Sequence, residues 1–443
     1  MKNGFILSTY SLLLAGLLLA CGQGKKSENT ATTDTQATTE QTATPISPDL
    51  PPPSESSTHF SNVVGWKDGQ MPKAPDGFVV TEFARDLDNP RRTYVLPNGD
   101  VLVVESQTER KGVVKKVVAA VSGQAKSGAS GKSANRITLL RDANKDGKPE
   151  VRETFLEGLN QPFGVLVIGN TLYVANTDGL LKFPYQTGQT KITAKGTSIL
   201  PLPAGGYNNH WTRNLLANAD GSKIYVSVGS GSNVGEHGME NEVKRANILE
   251  INPDGSGERI YASGLRNPVG MDWAPGTKTL WTAVNERDEL GDELVPDYIT
   301  SVKEGGFYGW PYSYFGQHED QRRKGERPDL VQKAIVPDVP VGSHTASLGL
   351  AFYDKTAFPE KYRNGAFVGQ HGSWNRSSFA GYKVIFVPFQ NGKPSGKPED
   401  FLTGFIENDN DVFGRPVGLS VLPDGSLLVA DDAGNRIWRV SAK

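Results

Sequence analysis

Polar residues of a few kinds recur just ahead of apolar runs along this chain: Gln161, His210, Arg213, Arg266, Asn267 and Arg415. Gathered in one place, they would set several guanidinium groups, one imidazole and two amides around a ligand. Such a set suits a polyanion that carries carboxylates and carbonyls. His210 adds a proton acceptor, because an imidazole with an unperturbed pKa near neutrality offers its free base there. A second group is acidic. Asp142, Asn144 and Asp146, with Gly147 and then Glu153, put oxygens at the alternate positions of a Ca²⁺-binding loop. Their flanks, 136–140 and 151–156, read as strands, so the same residues also fit an Asx-rich hairpin turn without a metal. Both readings stand at this stage.

The residues are positioned by a repeat. A loop with Asn, Arg or Pro leads into an apolar strand, a Gly-bearing turn follows, and a second apolar strand comes after. Copies open at Asn89-Pro90, Gln161-Pro162-Phe163-Gly164, Arg213-Asn214, Arg266-Asn267-Pro268-Val269-Gly270, Ser347-Leu348-Gly349 and Arg415-Pro416-Val417-Gly418. Short β-rich runs joined by Gly turns are hairpins, and no stretch carries a long helical period, so the fold class is all-β. Six copies over residues 60–443 leave about 64 residues each, enough for a four-stranded blade with insertions. That favours a six-bladed β-propeller over a sandwich or a more regular solenoid. The leading run 78–83 is expected to pair with 436–440 in the last blade, since an open ring leaves bare strand edges. In a propeller the loops ahead of the inner strands crowd over one axis, which would gather the polar residues into a funnel. Segment 111–135 reads as an insertion in a surface loop.

Of the 443 residues, 37% are hydrophobic and 22% charged, enough to bury a large core and to exclude disorder throughout. A net charge of -2 gives no basic field to attract nucleic acid, so no nucleic-acid partner is expected. Residues 1–20 read as a signal peptide: Lys2 starts it, and the apolar run 7–20 is short for a membrane span. Leu18-Leu19-Ala20-Cys21 resembles the bacterial lipobox, and Cys21 is the single cysteine of the chain. The resemblance implies lipidation at Cys21 and, with Gly22 following it in place of Asp, an outer-membrane lipoprotein facing the periplasm. Residues 21–59, rich in Ser, Thr, Gln and Pro, then form a flexible tether to the domain at 60–443.

Longer motifs carry a resemblance. Tyr207-Asn208-Asn209-His210-Trp211-Thr212-Arg213-Asn214, Gly264-Leu265-Arg266-Asn267-Pro268, the run 285–294 from Asn285-Glu286-Arg287-Asp288 to Leu294, Gly305-Gly306-Phe307-Tyr308-Gly309-Trp310-Pro311 and His371-Gly372-Ser373-Trp374-Asn375-Arg376 are similar to the L-sorbosone dehydrogenase family. That family is related to soluble glucose and pyranose dehydrogenases that use pyrroloquinoline quinone (PQQ). The resemblance spans roughly residues 75–440. It implies a quinoprotein oxidoreductase with PQQ and Ca²⁺ as cofactors, a sugar or sugar aldehyde as substrate, and an electron acceptor that the sequence does not name. It makes His210 the general base and sets Arg266 beside the reacting quinone oxygen. It places Gln161 against the substrate, and it puts Arg213, Asn267, Trp374, Arg376 and Arg415 around the cofactor. The cation would rest on the backbone carbonyls of Arg287 and Asp288; Asp288, Asp292 and Glu293 either add carboxylates or form a solvated acidic loop. Gly229-Ser230-Gly231-Ser232 replaces an acid and an amide of the glucose-oxidising relatives, so glucose itself is not expected.

Two other readings compete, because fold alone does not decide function. A Ca²⁺-dependent lactonase or esterase would need a ring of Asp, Asn and Glu around the axis, where this chain has Arg, His and Gln. A non-catalytic carbohydrate-binding propeller makes no such demand on residue type.

Overall fold

The computed structural model describes residues 49–109, 124–128 and 131–443. The expected signal peptide, Cys21, most of the tether and much of the 111–135 insertion lie outside the described residues. What is described is a ring of six four-stranded sheets, the six-bladed propeller that the repeat implies. Blade one is built from Pro90–Val95, Val101–Glu105, Arg136–Arg141 and Val151–Leu156. The next four blades begin at Gly164–Ile168, Leu215–Ala217, Pro268–Trp273 and Ser347–Phe352. Blade six takes three strands from the carboxyl end and its fourth, Phe78–Ala84, from the amino end. Phe78–Ala84 runs antiparallel to Arg436–Ala442, with Val80 opposite Val440 and Glu82 opposite Trp438. This pairing closes the ring and leaves no sheet edge between its ends.

The repeated X-Gly, preceded by Pro in three copies and by Ser347 in the fourth, has a mechanical reason. In blades two, four, five and six the X residues Phe163, Val269, Leu348 and Val417 turn toward the axis, join Trp211, and form an apolar layer on the axis. The glycine after each lies against the backbone of the next blade. A Cβ on Gly164 would stand 2.7 Å from Arg213 O, on Gly270 2.6 Å from Leu350 N, on Gly349 2.0 Å from Val417 O, and on Gly418 2.6 Å from Arg91 O. Real Cβ atoms do not come so close to backbone, so these glycines let the inner strands close around the axis. Blade one breaks the pattern with Arg91 and Arg92 in place of X and Gly. The second strands Val101–Glu105, Ile224–Val228, Leu280–Val284, Ala366–Gln370 and Leu427–Asp431 are buried along their whole length. Each blade is covered on both faces by its neighbours, so these strands are mostly apolar instead of alternating, with buried polar residues such as Glu105, Gln370 and Asp431 at their ends.

Because the strands alternate in direction, the loops entering each first strand and those joining second to third strands emerge at one end of the ring. This is the funnel face. A segment ahead of the first strand crosses it. Ser54 N donates to Leu290 O at 2.9 Å, Asn375 Nδ2 to Ser57 O at 2.9 Å, and His59 N to Trp374 O at 2.8 Å. Asn62–Val63 then pairs in parallel with Asp411–Val412, and Trp66 Nε1 donates to Asp431 Oδ2 at 2.6 Å. Residues 54–66 thus strap the upper loops of blades four, five and six.

Candidate functional site

His210 ends the loop that enters blade three, directly before Trp211 of the axial layer. Its Nδ1 lies 2.9 Å from both the carbonyl and the hydroxyl oxygen of Ser230. Ser230 Oγ donates its own proton to Ser232 O at 2.6 Å, so both atoms offer lone pairs to the ring. Nδ1 therefore carries the hydrogen, and Nε2 holds the free lone pair. Burial, and then the charge of Arg266, push the imidazole down to about 3, so it stays neutral.

Arg266 is 2% exposed and has every N–H engaged. Nε donates to Asn233 O at 3.1 Å; Nη1 donates to Asn285 O at 3.2 Å and to Glu286 O; Nη2 donates to Asn233 Oδ1 at 2.9 Å and to Asp288 Oδ2 at 2.8 Å. The expectation that Arg266 meets a quinone oxygen directly needs correction. With five donors used by the protein, it acts through its field and by holding Asn233 and Asp288 in place. On the other side of Asp288 stands His344, buried and at φ 58°, in the left-handed region. Both its ring nitrogens face acceptors, Nε2 at 2.8 Å from Gly291 O and Nδ1 at 3.4 Å from Asp288 Oδ1. Burial works against charge here, but the hydrogen bond and charge of Asp288 outweigh it and raise the pKa above the ordinary imidazole value. A raised folded-state pKa gives stability that is complete below the unfolded value and lost as pH climbs through the folded one. The stability gap between the wild type and His344→Gln, followed by thermal unfolding across pH, is therefore expected to shrink as pH rises. A gap that does not change with pH would show a neutral ring.

The oxygens expected to hold Ca²⁺ do not assemble. Asp288 O already accepts from Asn233 Nδ2 at 3.1 Å and from the guanidinium of Arg287. The Arg287 side chain is 2% exposed and also pairs with Asp320. Asp292 takes Ser377 N at 3.1 Å and the Ser377 hydroxyl, while Glu293 pairs with Arg376 at 2.6 Å. A divalent cation among Arg287, Asp288, Asp292 and Glu293 would face a fixed guanidinium, so this donor set does not fit calcium. The neighbouring Glu286 was missed by the sequence reading. Its Oε1 is buried without a partner, and burial pushes the carboxyl up to about 7. Asp142 and Asp146 do cluster, with Glu150 as the third carboxylate in place of Glu153, their oxygens within 4.8 Å. They sit on the hairpin joining the third and fourth strands of blade one, at the end opposite the funnel. Backbone N–H groups fill the loop. Asp142 accepts from Asp146 N at 3.1 Å and Gly147 N at 2.8 Å, and Asn144 from Asp146 N at 2.8 Å, the Asx-turn arrangement.

The opposite wall comes from blades five, six and one. Arg91 Nη1 donates to Asp432 Oδ2 at 2.5 Å, and His371 Nε2 lies 3.0 and 2.9 Å from the two Asp432 oxygens. Burial pushes His371 down to about 4; burial would raise Asp432, but the Arg91 guanidinium and the hydrogen bond from His371 hold its carboxyl well below the usual range. Arg91 lies 5.5 Å above the ring of Trp211. Arg415 donates Nη2 to Ser61 Oγ at 2.6 Å and lies over Tyr382. Arg91 and Arg415, 8% and 5% exposed, each keep a buried Nε without a partner, as Asn267 keeps its Oδ1. Gln161, at φ 45°, donates Nε2 to Gln107 O at 3.0 Å beside this wall.

Three expected cofactor contacts lie elsewhere. Arg213 is fully buried and caps local acceptors, His210 O and Thr212 O from Nη1 and Pro203 O and Asn208 Oδ1 from Nη2; it braces the His210 loop. Trp374 and Arg376 stand at the rim, Trp374 stacked on Phe60 and Arg376 paired with Glu293. His371, Asp432 and Glu286, to which the sequence assigned no role, all follow the second strand of their blade. That shared position was the signal available for them.

A family described as a domain of unknown function (DUF7133) matches residues 70–433. The chain is 32% identical over 297 residues to an uncharacterized protein of Borreliella burgdorferi, spanning 65% of this chain and 77% of that one. It is 24% identical to the aldose sugar dehydrogenase YliI of Escherichia coli (strain K12), over 57% of this chain and 66% of the enzyme. In structure it resembles the holo form of the pyranose dehydrogenase PQQ domain from Coprinopsis cinerea, with a TM-score of 0.67 and 19% identity over 86% of this chain and 100% of that domain. The last similarity is one of fold.

Proposed function

The chain belongs to the DUF7133 family, and since that description carries no chemistry, we propose from the site that the protein is a PQQ-dependent dehydrogenase of a sugar or sugar aldehyde. Similarity to the Escherichia coli aldose sugar dehydrogenase and to the Coprinopsis cinerea PQQ domain supports the class. The observation that carries it is a neutral imidazole, held through Nδ1 with Nε2 left for a ligand, in a funnel whose buried arginines still have donors to offer. A flat polyanionic quinone would give acceptors to the orphan Nε–H groups of Arg91 and Arg415. When bound, PQQ supplies a two-electron sink that accepts hydride. The chain's own part is proton handling and field. Nε2 of His210 takes the proton of the substrate hydroxyl as the carbon beneath it loses hydride, while Ser230 O holds the Nδ1 hydrogen and fixes the tautomer. Arg266 keeps positive charge close to the centre where negative charge develops. No step is assigned to Ca²⁺, since Asp288, Asp292 and Glu293 are engaged with arginines, Asn233 and Ser377. On the same reading the protein is exported and anchored through Cys21, facing the periplasm.

The lactonase reading requires a cation on the axis, and three carboxylates of the funnel face, Asp432, Asp288 and Asp320, are instead paired with Arg91, Arg266 and Arg287. The test is reconstitution of the purified domain with PQQ, with and without Ca²⁺, followed by desalting. Retained quinone absorbance and reduction of an artificial dye by at least one aldose or sugar aldehyde are expected. Loss of the quinone on desalting together with no turnover on the whole panel would leave the binding-module reading.

A further inference from the structure

Among the described residues, the two aromatic side chains with the most exposed surface are Tyr207 and Trp374, at 44% and 41%. Both belong to loops of the funnel face, Tyr207 to the loop that enters blade three and Trp374 to the loop joining the second and third strands of blade five. They flank blade four, where Arg266 sits. Each is backed by a second ring: Tyr207 lies face to face with His237 at 3.3 Å between centroids, and Trp374 is parallel to Phe60 at 5.7 Å and 4°. The Trp374 loop is held on several sides. Trp374 O accepts from His59 N at 2.8 Å, Asn375 Oδ1 accepts from Glu289 N at 2.8 Å, Asn375 Nδ2 donates to Ser57 O at 2.9 Å, and Arg376 donates to Asp292 O at 3.1 Å.

An exposed indole held this firmly has lost its freedom before any ligand arrives, so stacking on it costs little further ordering. The partner for such a face is a surface of polarised C–H groups rimmed by hydroxyls, which is what a pyranose ring presents. Trp374 is three residues beyond His371 of the wall and, being exposed where His371 is buried, stands at the rim. A monosaccharide with its reacting carbon at His210 Nε2 would occupy the floor, leaving the rim to further units.

We propose that the funnel takes the reducing end of an oligosaccharide, whose further units stack on Trp374. The proposal rests on the dehydrogenase reading: the anomeric hydroxyl gives its proton to His210 Nε2, the anomeric carbon gives hydride to the quinone, and a lactone remains. Malto- and cello-oligosaccharides of one to four units, titrated calorimetrically into the PQQ-loaded protein, test it. Affinity for at least one series is expected to rise about tenfold from one unit to three, to lose that rise in Trp374→Ala, and to keep most of it in Trp374→Phe. Affinity that ignores chain length, or a Trp374→Ala protein that keeps the full rise, overturns the platform. Dye reduction in parallel separates the two ideas: length-dependent binding without turnover removes the dehydrogenase reading alone, and turnover with equal KM for one and three units removes the platform alone.

Discussion

Replacing His210 by alanine is expected to lower PQQ-dependent dye reduction by about 10²- to 10⁴-fold, the range for loss of a positioned proton acceptor. Quinone retention should survive, because the orphan donors that would meet it belong to Arg91 and Arg415 on the other wall. The pH profile makes the test specific. Nδ1 is fixed as donor to Ser230, and burial with Arg266 brings the pKa down to about 3. The ring protonates only when pH falls that far, so kcat/KM should run flat through neutrality with no acid limb at the ordinary imidazole value. The low pKa also weakens the base. Its advantage is orientation and a lone pair always present, not basicity. A His210→Ala enzyme within a few-fold of wild type, or a wild-type limb near neutrality that vanishes in the variant, would remove His210 from this role.

The architecture was legible because its constraints repeat. Gly270, Gly349 and Gly418 sit where a neighbouring backbone leaves no room for a Cβ, and Val269, Leu348 and Val417 sit where the axis must be dry, so four of the six blades write the same short signature. The positions of His210, Arg266 and Arg415 followed from being next to that signature. Other features follow no period. Arg91 occupies the X position of blade one, and its partners Asp432 and His371 are 341 and 280 residues away, so only the closed ring brings them together. The direction of a side chain is equally invisible along the chain. Arg287 and Asp288 are adjacent, but only the fold turns the Arg287 guanidinium back onto the Asp288 carbonyl and removes it as a metal ligand. Trp374 and Arg376 lie on the expected face but at its rim, because the strap at Ser57 to Phe60 holds their loop outward.

Arg266→Ala should be the more damaging change to the folded protein, with a loss of about 3–5 kcal/mol expected for removing one partner of a buried ion pair. Five N–H donors vanish at once, leaving Asp288, the Asn233 side chain and three carbonyls without them. His344 Nδ1, at 3.4 Å, then remains beside the Asp288 carboxylate. Arg266→Lys restores the charge but not the planar fork, and it should recover only part of the stability. Two measurements separate charge from geometry. In denaturant unfolding, Arg266→Ala combined with Asp288→Asn should cost less than the sum of the single changes, since the uncompensated carboxylate is what each leaves or removes. In imidazole NMR, the His210 pKa should climb toward its ordinary value in Arg266→Ala, because a charge that holds it down is gone, and should stay low in Arg266→Lys. Strict additivity, or a His210 titration that does not move, would mean that Arg266 is a structural brace with no electrical connection to the base.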